Sequence, residues 1–207
     1  MASKPRILII TDVQNDFCPG GALAVKGGDE IVPVINSISG KFDRVVATQD
    51  WHPRDQVSFA SNHPGKKPFD QVEAGGILQT LWPDHCVQGT PGAAFHPALD
   101  TTCVDIVIRK GTSPSVDSYS AFLENDKKTK TGLDGCLASL GAGEVFFCGL
   151  ATDYCVFYSA MDSVRFGLST SVIIDACRGI DAPPGAVDRA VAEMRAAGIR
   201  IVKAGTL

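Results

Sequence analysis

The sequence predicts an α/β fold of the doubly wound type, in which a parallel sheet lies between layers of helices. Six short runs rich in Val and Ile recur along the 207 residues. Their apolarity is continuous rather than alternating, as in strands that are buried on both faces. Stretches with helical spacing of apolar residues separate several of these runs, and strands that alternate with helices are typical of a parallel sheet.

The predicted strands and helices follow one another along almost the whole chain. The strands are ILIITDV (7–13), RVVATQD (44–50), VDIVIRK (104–110), EVFFCGL (144–150), TSVIIDA (170–176) and IRIVKA (199–204). Helical spacing joins Ile31, Ile35 and Ile38, then Leu133, Leu137 and Leu140, and finally Val187, Val191 and Met194. Pro183 precedes the last of these stretches and Gly198 follows it, and proline is common at the start of a helix and glycine just after its end.

The exception is the segment from about residue 52 to residue 103, where Pro, Gly and His accumulate and no strand is apparent. Long excursions of this kind are usually functional or disordered. Its aromatic and histidine content favours an ordered loop, with a short helical patch around Ile77, Leu78 and Leu81. A chain of this length fits one domain, so we expect a single domain over residues 1–207 with a metal-binding and lid excursion at 52–103.

Composition and charge restrict the classes of partner. The net charge of -4 offers no large basic surface, which argues against nucleic acid as a partner. The first apolar run ends at Asp12 and is too short for a signal sequence or a membrane span, so we expect a cytoplasmic protein. The seven cysteines show no paired spacing that would indicate a disulfide framework or a zinc knuckle. The sequence leaves a homo-oligomer open.

Polar residues end four of the apolar runs. Asp12 ends the first, Asp50 the second and Lys110 the third, while the fourth leads through Ala151 to Cys155. Any one of these residues alone is compatible with a turn or a helix cap. In open α/β sheets, however, ligands bind outside the carboxyl ends of the strands, so these side chains are predicted to converge on one crevice.

Cys155 is the candidate nucleophile. It lies where the chain turns from a strand into a helix, and the positive end of a helix favours the thiolate and lowers its pKa. Lys110 would strengthen this effect as a second cation, and Asp12 could act as the base that removes the thiol proton. The alternative is that Cys155 is a packed structural thiol like the other six cysteines.

Asp50 and His52 are candidate metal ligands, because two residues at this spacing in an extended segment project from the same side. A carboxylate and an imidazole suit a divalent ion such as zinc, iron or manganese. His85 can supply a third ligand if the fold returns the irregular segment to the sheet edge. Cys86 beside it is left out, since adjacent positions would strain the coordination geometry.

Five motifs follow one another along the chain: TDVQNDFCPGGAL, TQDWHPRDQVSF, WPDHCVQGTPGAAFHP, a KG followed by YSAF, and GLATDYCV. In this order they resemble nicotinamidases of the isochorismatase-like cysteine hydrolase superfamily, and the resemblance runs from residue 7 to about residue 181. It implies a three-layer α/β/α fold with a six-stranded, mostly parallel, Rossmann-like sheet. The implied activity is hydrolysis of nicotinamide to nicotinate and ammonia through a cysteine thioester, in NAD salvage, with pyrazinamide as a further substrate.

The resemblance also implies a role for particular residues. They are the catalytic triad Asp12, Lys110 and Cys155, the metal ligands Asp50, His52 and His85, the oxyanion-hole amides of Ala151 and Cys155, and the pocket walls Phe17, Trp82 and Tyr119. Zinc is the metal most expected, with iron or manganese as alternatives. A cis peptide bond is expected before Ala151.

Two positions depart from the pattern. Some relatives have a histidine or an acidic residue near the metal where this chain has Ser58, which we expect to hold a metal-bound water instead. The residue before the cysteine is often His and here is Tyr154, which is expected to be of little chemical consequence.

Two rival interpretations remain. The first is another hydrolase of the same superfamily with the same fold and triad, which the Asp50, His52 and His85 set disfavours because those relatives generally lack the metal site. The second is a non-catalytic metal-binding or ligand-binding protein, in which Cys155 would be structural.

Overall fold

The computed structural model describes residues 4–207, and a six-stranded sheet is its largest element. The strands of the chain are β1 (Arg6–Thr11), β2 (Arg44–Asp50), β3 (Gln71–Ala74), β4 (Ile77–Thr80), β5 (Ile106–Lys110), β6 (Glu144–Leu150), β7 (Ser169–Arg178) and β8 (Arg200–Val202). The sheet has the order β5-β2-β1-β6-β7-β8, and every neighbouring pair in it is parallel. The predicted α/β class and the six-stranded parallel sheet are thereby confirmed.

Within residues 4–207, four α-helices connect the strands of this sheet. They are α1 (Val32–Ser39), α2 (Leu133–Ser139), α3 (Phe157–Arg165) and α4 (Ala186–Ala196). The strand order runs outward from β1 in both directions, so right-handed crossovers place helices on both faces of the sheet. Among the described residues, no helix has the length and apolarity that crossing a membrane requires.

The depth of each strand explains its apolar pattern. Residues 7–10 of β1 are fully buried, because β1 lies at the centre of the sheet with helices over both faces. Strand β5 lies at the edge, and there Val107 is 44% exposed while Lys110 at its end is fully buried. A buried ammonium group needs hydrogen-bond and charge partners, and for Lys110 the neighbouring strands supply them.

The predicted helical patch in the irregular segment is wrong. Residues 77–80 form strand β4, which pairs antiparallel with β3. Gly75 and Gly76 join the two strands with φ of 59° and 75°, and a two-residue turn with positive φ at both positions is the turn that hairpins favour. The Gly-Gly pair was therefore the stronger local signal, and the spacing of Ile77, Leu78 and Leu81 was misleading.

The remainder of the excursion is ordered and returns to the sheet edge. Isolated bridges pair His52 with Val87 and Phe59 with Trp82. The backbone N–H of His52 donates to Cys86 O at 3.0 Å. These bonds bring the 85–87 segment alongside the residues that follow β2, which places His85 near Asp50 and His52.

Candidate active site

The candidate site lies at the carboxyl ends of four adjacent strands. Asp12 follows β1, Asp50 ends β2, Lys110 ends β5 and Ala151 follows β6. Asp50 and Lys110 are direct partners in the β2–β5 register. Strand β1 is the point from which the strand order runs in both directions, and such switch points are where α/β sheets bind ligands.

The fully buried ammonium of Lys110 joins these residues into one cluster. Its Nζ lies 3.0 Å from Asp12 Oδ2, 2.5 Å from Asp50 Oδ1 and 3.4 Å from Cys155 Sγ. It also donates to Ser118 O at 2.9 Å. Burial alone lowers the pKa of a lysine, but the two carboxylates outweigh it and raise the pKa of Lys110 well above its usual value. Lys110 therefore stays charged.

Asp12 is held in a conformation that aims its carboxylate into the cluster. Its φ is 47°, in the left-handed region that few residues other than glycine adopt. Thr48 Oγ1 donates to Asp12 Oδ1 at 2.6 Å and fixes the carboxylate further. Burial raises the pKa of Asp12, as does the charge of Asp50, while Lys110 lowers it, and the net shift is upward. An aspartate with a raised pKa is a better base near neutral pH.

Cys155 occupies a π-helical turn, Thr152–Val156, that leads directly into α3. The thiol is 6% exposed, and burial raises its pKa well above the ordinary value, with Asp12 and Asp50 adding to the rise and Lys110 opposing it. The expectation of a lowered pKa is thus wrong for this site. Desolvation and two nearby carboxylates outweigh the ammonium of Lys110, so the resting sulfur is a thiol whose proton must be removed during attack.

Asp50, His52 and His85 form a compact group of metal-ligand atoms. All three are buried, and one ligand atom from each lies within 4.8 Å of the others. His52 Nδ1 is 3.0 Å from Gly111 O, and His85 Nδ1 is 2.8 Å from Pro83 O. Backbone carbonyls that hold Nδ1–H leave Nε2 of each ring free, which is the usual arrangement of histidines that bind metals.

Close packing fixes the His52 ring. Gly111 has φ of 62°, and a Cβ at this position would clash with the imidazole. Burial lowers the pKa of His52, but Asp50 and Asp117 outweigh this effect and raise its pKa to about 9. The carboxylates therefore favour a positive charge at this position, and a metal ion on Nε2 of His52 would take the place of the proton there.

Ser58 is the residue predicted to hold a metal-bound water. Its hydroxyl is fully buried, and Oγ has no hydrogen-bond partner within residues 4–207. The next residue, Phe59, packs its ring 5.6 Å from the ring of His52 and 5.7 Å from that of His85. An unpartnered buried hydroxyl is costly, and a water on a bound ion would satisfy it. The donor set and this hydroxyl both fit a divalent metal.

A small cavity opens onto the cluster. Its lining includes the predicted walls Phe17, Trp82 and Tyr119 together with Cys155 and His85. Aromatic rings and two reactive groups thus face one small space. A flat aromatic ligand suits these walls.

Five lining residues were not foreseen as part of the site. They are Leu23, Asp117, Ser118, Tyr154 and Ile180. Tyr154 packs edge-on against Trp82 with ring centroids 5.1 Å apart, so it forms part of the wall. Its position next to Cys155 was the available signal. Ile180 comes from a loop after β7 and had no local signal.

Ala151 and Cys155, the predicted oxyanion-hole residues, both border the cavity. The peptide bond between Leu150 and Ala151 is cis, as expected. The sequence-predicted residues of the triad, the metal group and the pocket are therefore brought to one place.

The family of the chain follows from comparison with known proteins. The isochorismatase domain model matches residues 6–205. The chain belongs to the isochorismatase family. This assignment confirms the family that the five motifs indicated. The parallel sheet described above is the fold of that family.

Several relatives in the isochorismatase family are similar over nearly their whole length. A nicotinamidase of Acinetobacter baylyi is 51% identical over 193 residues, covering 93% of this chain and 90% of the relative. The solved structure of an Acinetobacter baumanii nicotinamidase and pyrazinamidase has a TM-score of 0.95 at 46% identity, covering 100% and 99% of the two chains. A Pyrococcus horikoshii pyrazinamidase, solved in complex with zinc, has a TM-score of 0.78 at 38% identity, with coverage of 96% and 98%.

Proposed function

We propose that this chain is a nicotinamidase, an amidohydrolase that converts nicotinamide to nicotinate and ammonia and also deamidates pyrazinamide. The observation that carries the proposal is the meeting of Asp12, Lys110 and Cys155 at one end of a small aromatic cavity, with Asp50, His52 and His85 beside it. A nucleophile, a base and a cation at one end suit attack on a carboxamide. The similarity to named nicotinamidases supports the same substrate.

In the proposed mechanism, Cys155 attacks the carboxamide carbon while its proton passes to Asp12. The raised pKa of the buried thiol and the raised pKa of Asp12 match this transfer, because the proton leaves a weak acid for an improved base. The amides of Ala151 and Cys155 stabilise the oxyanion that forms on the substrate oxygen. Lys110 keeps both carboxylates and the sulfur in register.

Collapse of this intermediate expels the amine with the proton that Asp12 carries, so ammonia leaves and an acyl thioester remains on Cys155. Water then attacks the thioester, and Asp12 takes its proton. Asp12 returns this proton to the departing sulfur, which restores the thiol, and the acid product loses its own proton to solvent and leaves as nicotinate, so the hydrolysis balances. Every other proton transfer uses the same carboxylate, which is why its fixed orientation by Thr48 matters.

Asp50, His52 and His85 are proposed to hold one divalent ion, with zinc first and iron or manganese as alternatives. A divalent ion bound there would supply a Lewis acid for the pyridine nitrogen of the substrate. Ser58 is proposed to hold a water of that ion. The solved zinc complex of the Pyrococcus horikoshii relative supports zinc.

We further propose that the reaction serves NAD salvage, with nicotinate as the useful product. A cytoplasmic location is part of this proposal, supported by seven free cysteines, since reducing compartments keep thiols free. The chain is proposed to act as one domain whose 52–103 excursion carries two of the metal ligands and the Trp82 wall.

Ammonia release from nicotinamide by the purified protein tests the proposal. Turnover is expected for the wild type and none for Cys155→Ala, which removes the nucleophile but only a small side chain. Circular dichroism and metal content should be unchanged in the variant. Cys136→Ala, at a thiol outside the cavity, is the matched control and should keep full activity. Ammonia release by Cys155→Ala would overturn the covalent mechanism, and no release by wild type would overturn the assigned substrate.

A further inference from the structure

The hairpin β3–β4 carries one buried polar side chain that the proposed chemistry does not use. Gln79 on β4 is 3% exposed, whereas its neighbour Leu78 is 68% exposed. Gln79 does not border the cavity. Its Nε2 donates to Thr80 O at 2.6 Å and to the hydroxyl of Tyr119 at 3.3 Å. Both hydrogens of the amide are therefore engaged, one within the hairpin and one on a wall of the cavity.

The hydroxyl of Tyr119 also accepts from a second wall residue. Trp82 Nε1 donates to it at 3.1 Å, and an indole nitrogen can only donate. One phenol oxygen thus receives N–H groups from Gln79 and from Trp82. The rings of Tyr119 and Trp82 lie edge to face, with centroids 6.2 Å apart and an interplanar angle of 84°, so the shared oxygen fixes the angle between two walls.

A third wall depends on the same pair. Tyr154 packs edge-on against both rings, with centroids 5.1 Å from Trp82 and 5.6 Å from Tyr119. Phe69, which precedes the hairpin, packs edge-on against Trp82 from the outside at 5.8 Å. The orientation of the Tyr119 ring therefore affects the two wall rings that pack against it, Trp82 and Tyr154.

We propose that Gln79 is a positioning residue for substrate binding: its amide, with the indole of Trp82, fixes the hydroxyl of Tyr119 and so sets the aromatic wall that the substrate ring meets. The inference rests on the proposed function for the identity of the substrate. The hairpin β3–β4, which lies outside the main sheet, would thus assist substrate binding by holding the Tyr119 wall of the cavity in place. The competing explanation is that Gln79 only satisfies the carbonyl of Thr80 and reaches Tyr119 by coincidence.

A double-mutant cycle distinguishes the two explanations. Gln79→Met keeps the length of the side chain and removes the amide, and Tyr119→Phe keeps the ring and removes the shared oxygen. Each single variant is expected to raise the KM for nicotinamide by roughly 2- to 10-fold, the effect of one hydrogen bond, with kcat nearly unchanged. The double variant should be no worse than the worse single variant, because both changes break the same interaction.

Gln71→Met is the matched control. It is the same substitution on the same hairpin, but Gln71 is exposed, so its KM should equal that of the wild type. Gln79→Leu serves as a second apolar replacement if Gln79→Met does not fold. The proposal would be overturned if the KM increase of the double variant equalled the product of the two single increases. An unchanged KM in both Gln79 variants would overturn it as well.

A readout without ligand separates this inference from the proposed function. In a Trp51→Phe background Trp82 is the sole indole, since the chain has two tryptophans. Gln79→Met and Tyr119→Phe should each increase quenching of Trp82 fluorescence by acrylamide, and the double variant should add nothing further. A protein that releases no ammonia from nicotinamide but shows this quenching pattern would refute the function and keep the positioning role. Unchanged quenching in both single variants would refute the positioning role itself.

Discussion

Lys110 Nζ lies 2.5 Å from Oδ1 of Asp50, so the proposed catalytic cation directly contacts a proposed metal ligand. The other oxygen of Asp50, Oδ2, lies 3.6 Å from His52 Nε2. One carboxylate therefore divides its two oxygens between the catalytic cluster and the metal group. The ion pair between Lys110 and Asp50 thus belongs to the catalytic cluster and to the metal group. A change at either residue is expected to affect catalysis and metal binding together.

Replacing Lys110 with Met tests this shared arrangement. The variant keeps the buried volume but leaves Asp12 and Asp50 without their cation, and removal of one partner from a buried ion pair costs about 3–5 kcal/mol. We expect the free energy of unfolding to fall by about that amount and turnover to be lost. Urea unfolding of the metal-free protein measures the first effect. Lys66→Met, at an exposed lysine, is the control, and equal midpoints for the two variants would contradict the central place of Lys110.

Asp12→Asn tests the proton transfers. Asparagine preserves the shape of the side chain but cannot take the thiol proton, and positioned acid–base groups contribute about 10²–10⁴-fold to the rate. We expect kcat to fall by at least this factor, measured as ammonia release at saturating nicotinamide. Asp29→Asn on the surface should have no effect. If Asp12→Asn kept nearly the wild-type rate, Asp12 would have a structural role only.

Glu124 gives the stability a pH dependence. Burial raises the pKa of this carboxyl from 4.5 to about 7 in the folded chain, and Lys110 opposes the rise only in part. Among the described residues, Oε2 of Glu124 is buried without a hydrogen-bond partner. Because the folded pKa is the higher one, the contribution of Glu124 to stability is complete below about pH 4.5 and is lost as the pH rises through 7.

Glu124→Gln should therefore stabilise the protein relative to wild type at pH 8 and not at pH 4.5. The gain has an upper limit of about 3 kcal/mol, since one pKa unit corresponds to about 1.4 kcal/mol. Urea midpoints at the two pH values measure it. The control Glu73→Gln, at an exposed glutamate, should change the urea midpoint equally at the two pH values. If Glu124→Gln also changed it equally at both, the titration of Glu124 would be excluded.

Nicotinamide and benzamide test the role of the metal group. Benzamide keeps the ring and the carboxamide but lacks the pyridine nitrogen, and sites built around a polar partner reject analogues without it by roughly 10⁴–10⁵-fold. We expect kcat/KM to favour nicotinamide by orders of magnitude in the metal-loaded enzyme. Chelation, or His85→Ala, should reduce this preference by weakening nicotinamide alone. His96→Ala is the control, and equal values for the two amides would leave the ion a structural role.

The sequence alone determined the fold class and the order of the strands along the chain. Continuous apolar runs report burial on both faces, which is a local property of each strand, so the six strands of the sheet could be predicted from residues such as Ile7 to Ile10. It also determined which polar residues stand at strand ends. In a parallel sheet the carboxyl ends meet at one edge, so the convergence of Asp12, Asp50 and Lys110 followed from the fold class.

The hairpin could have been predicted and was not, because two signals competed locally. The Gly75-Gly76 pair favours a tight turn, whereas the spacing of Ile77, Leu78 and Leu81 resembles a helix. The turn prevailed because glycine adopts positive φ at no steric cost.

Only the tertiary structure decided the electrostatics and the wall contacts. The pKa of Cys155 rises because residues distant in sequence bury it and because Asp12 and Asp50 come within reach, and these effects outweigh the opposing charge of Lys110. The approach of Gln79 to the hydroxyl of Tyr119, 40 residues away, leaves no trace in local pattern. Desolvation and hydrogen-bond partners depend on distances between side chains across the fold, and those distances are set by packing rather than by the pattern of any one segment.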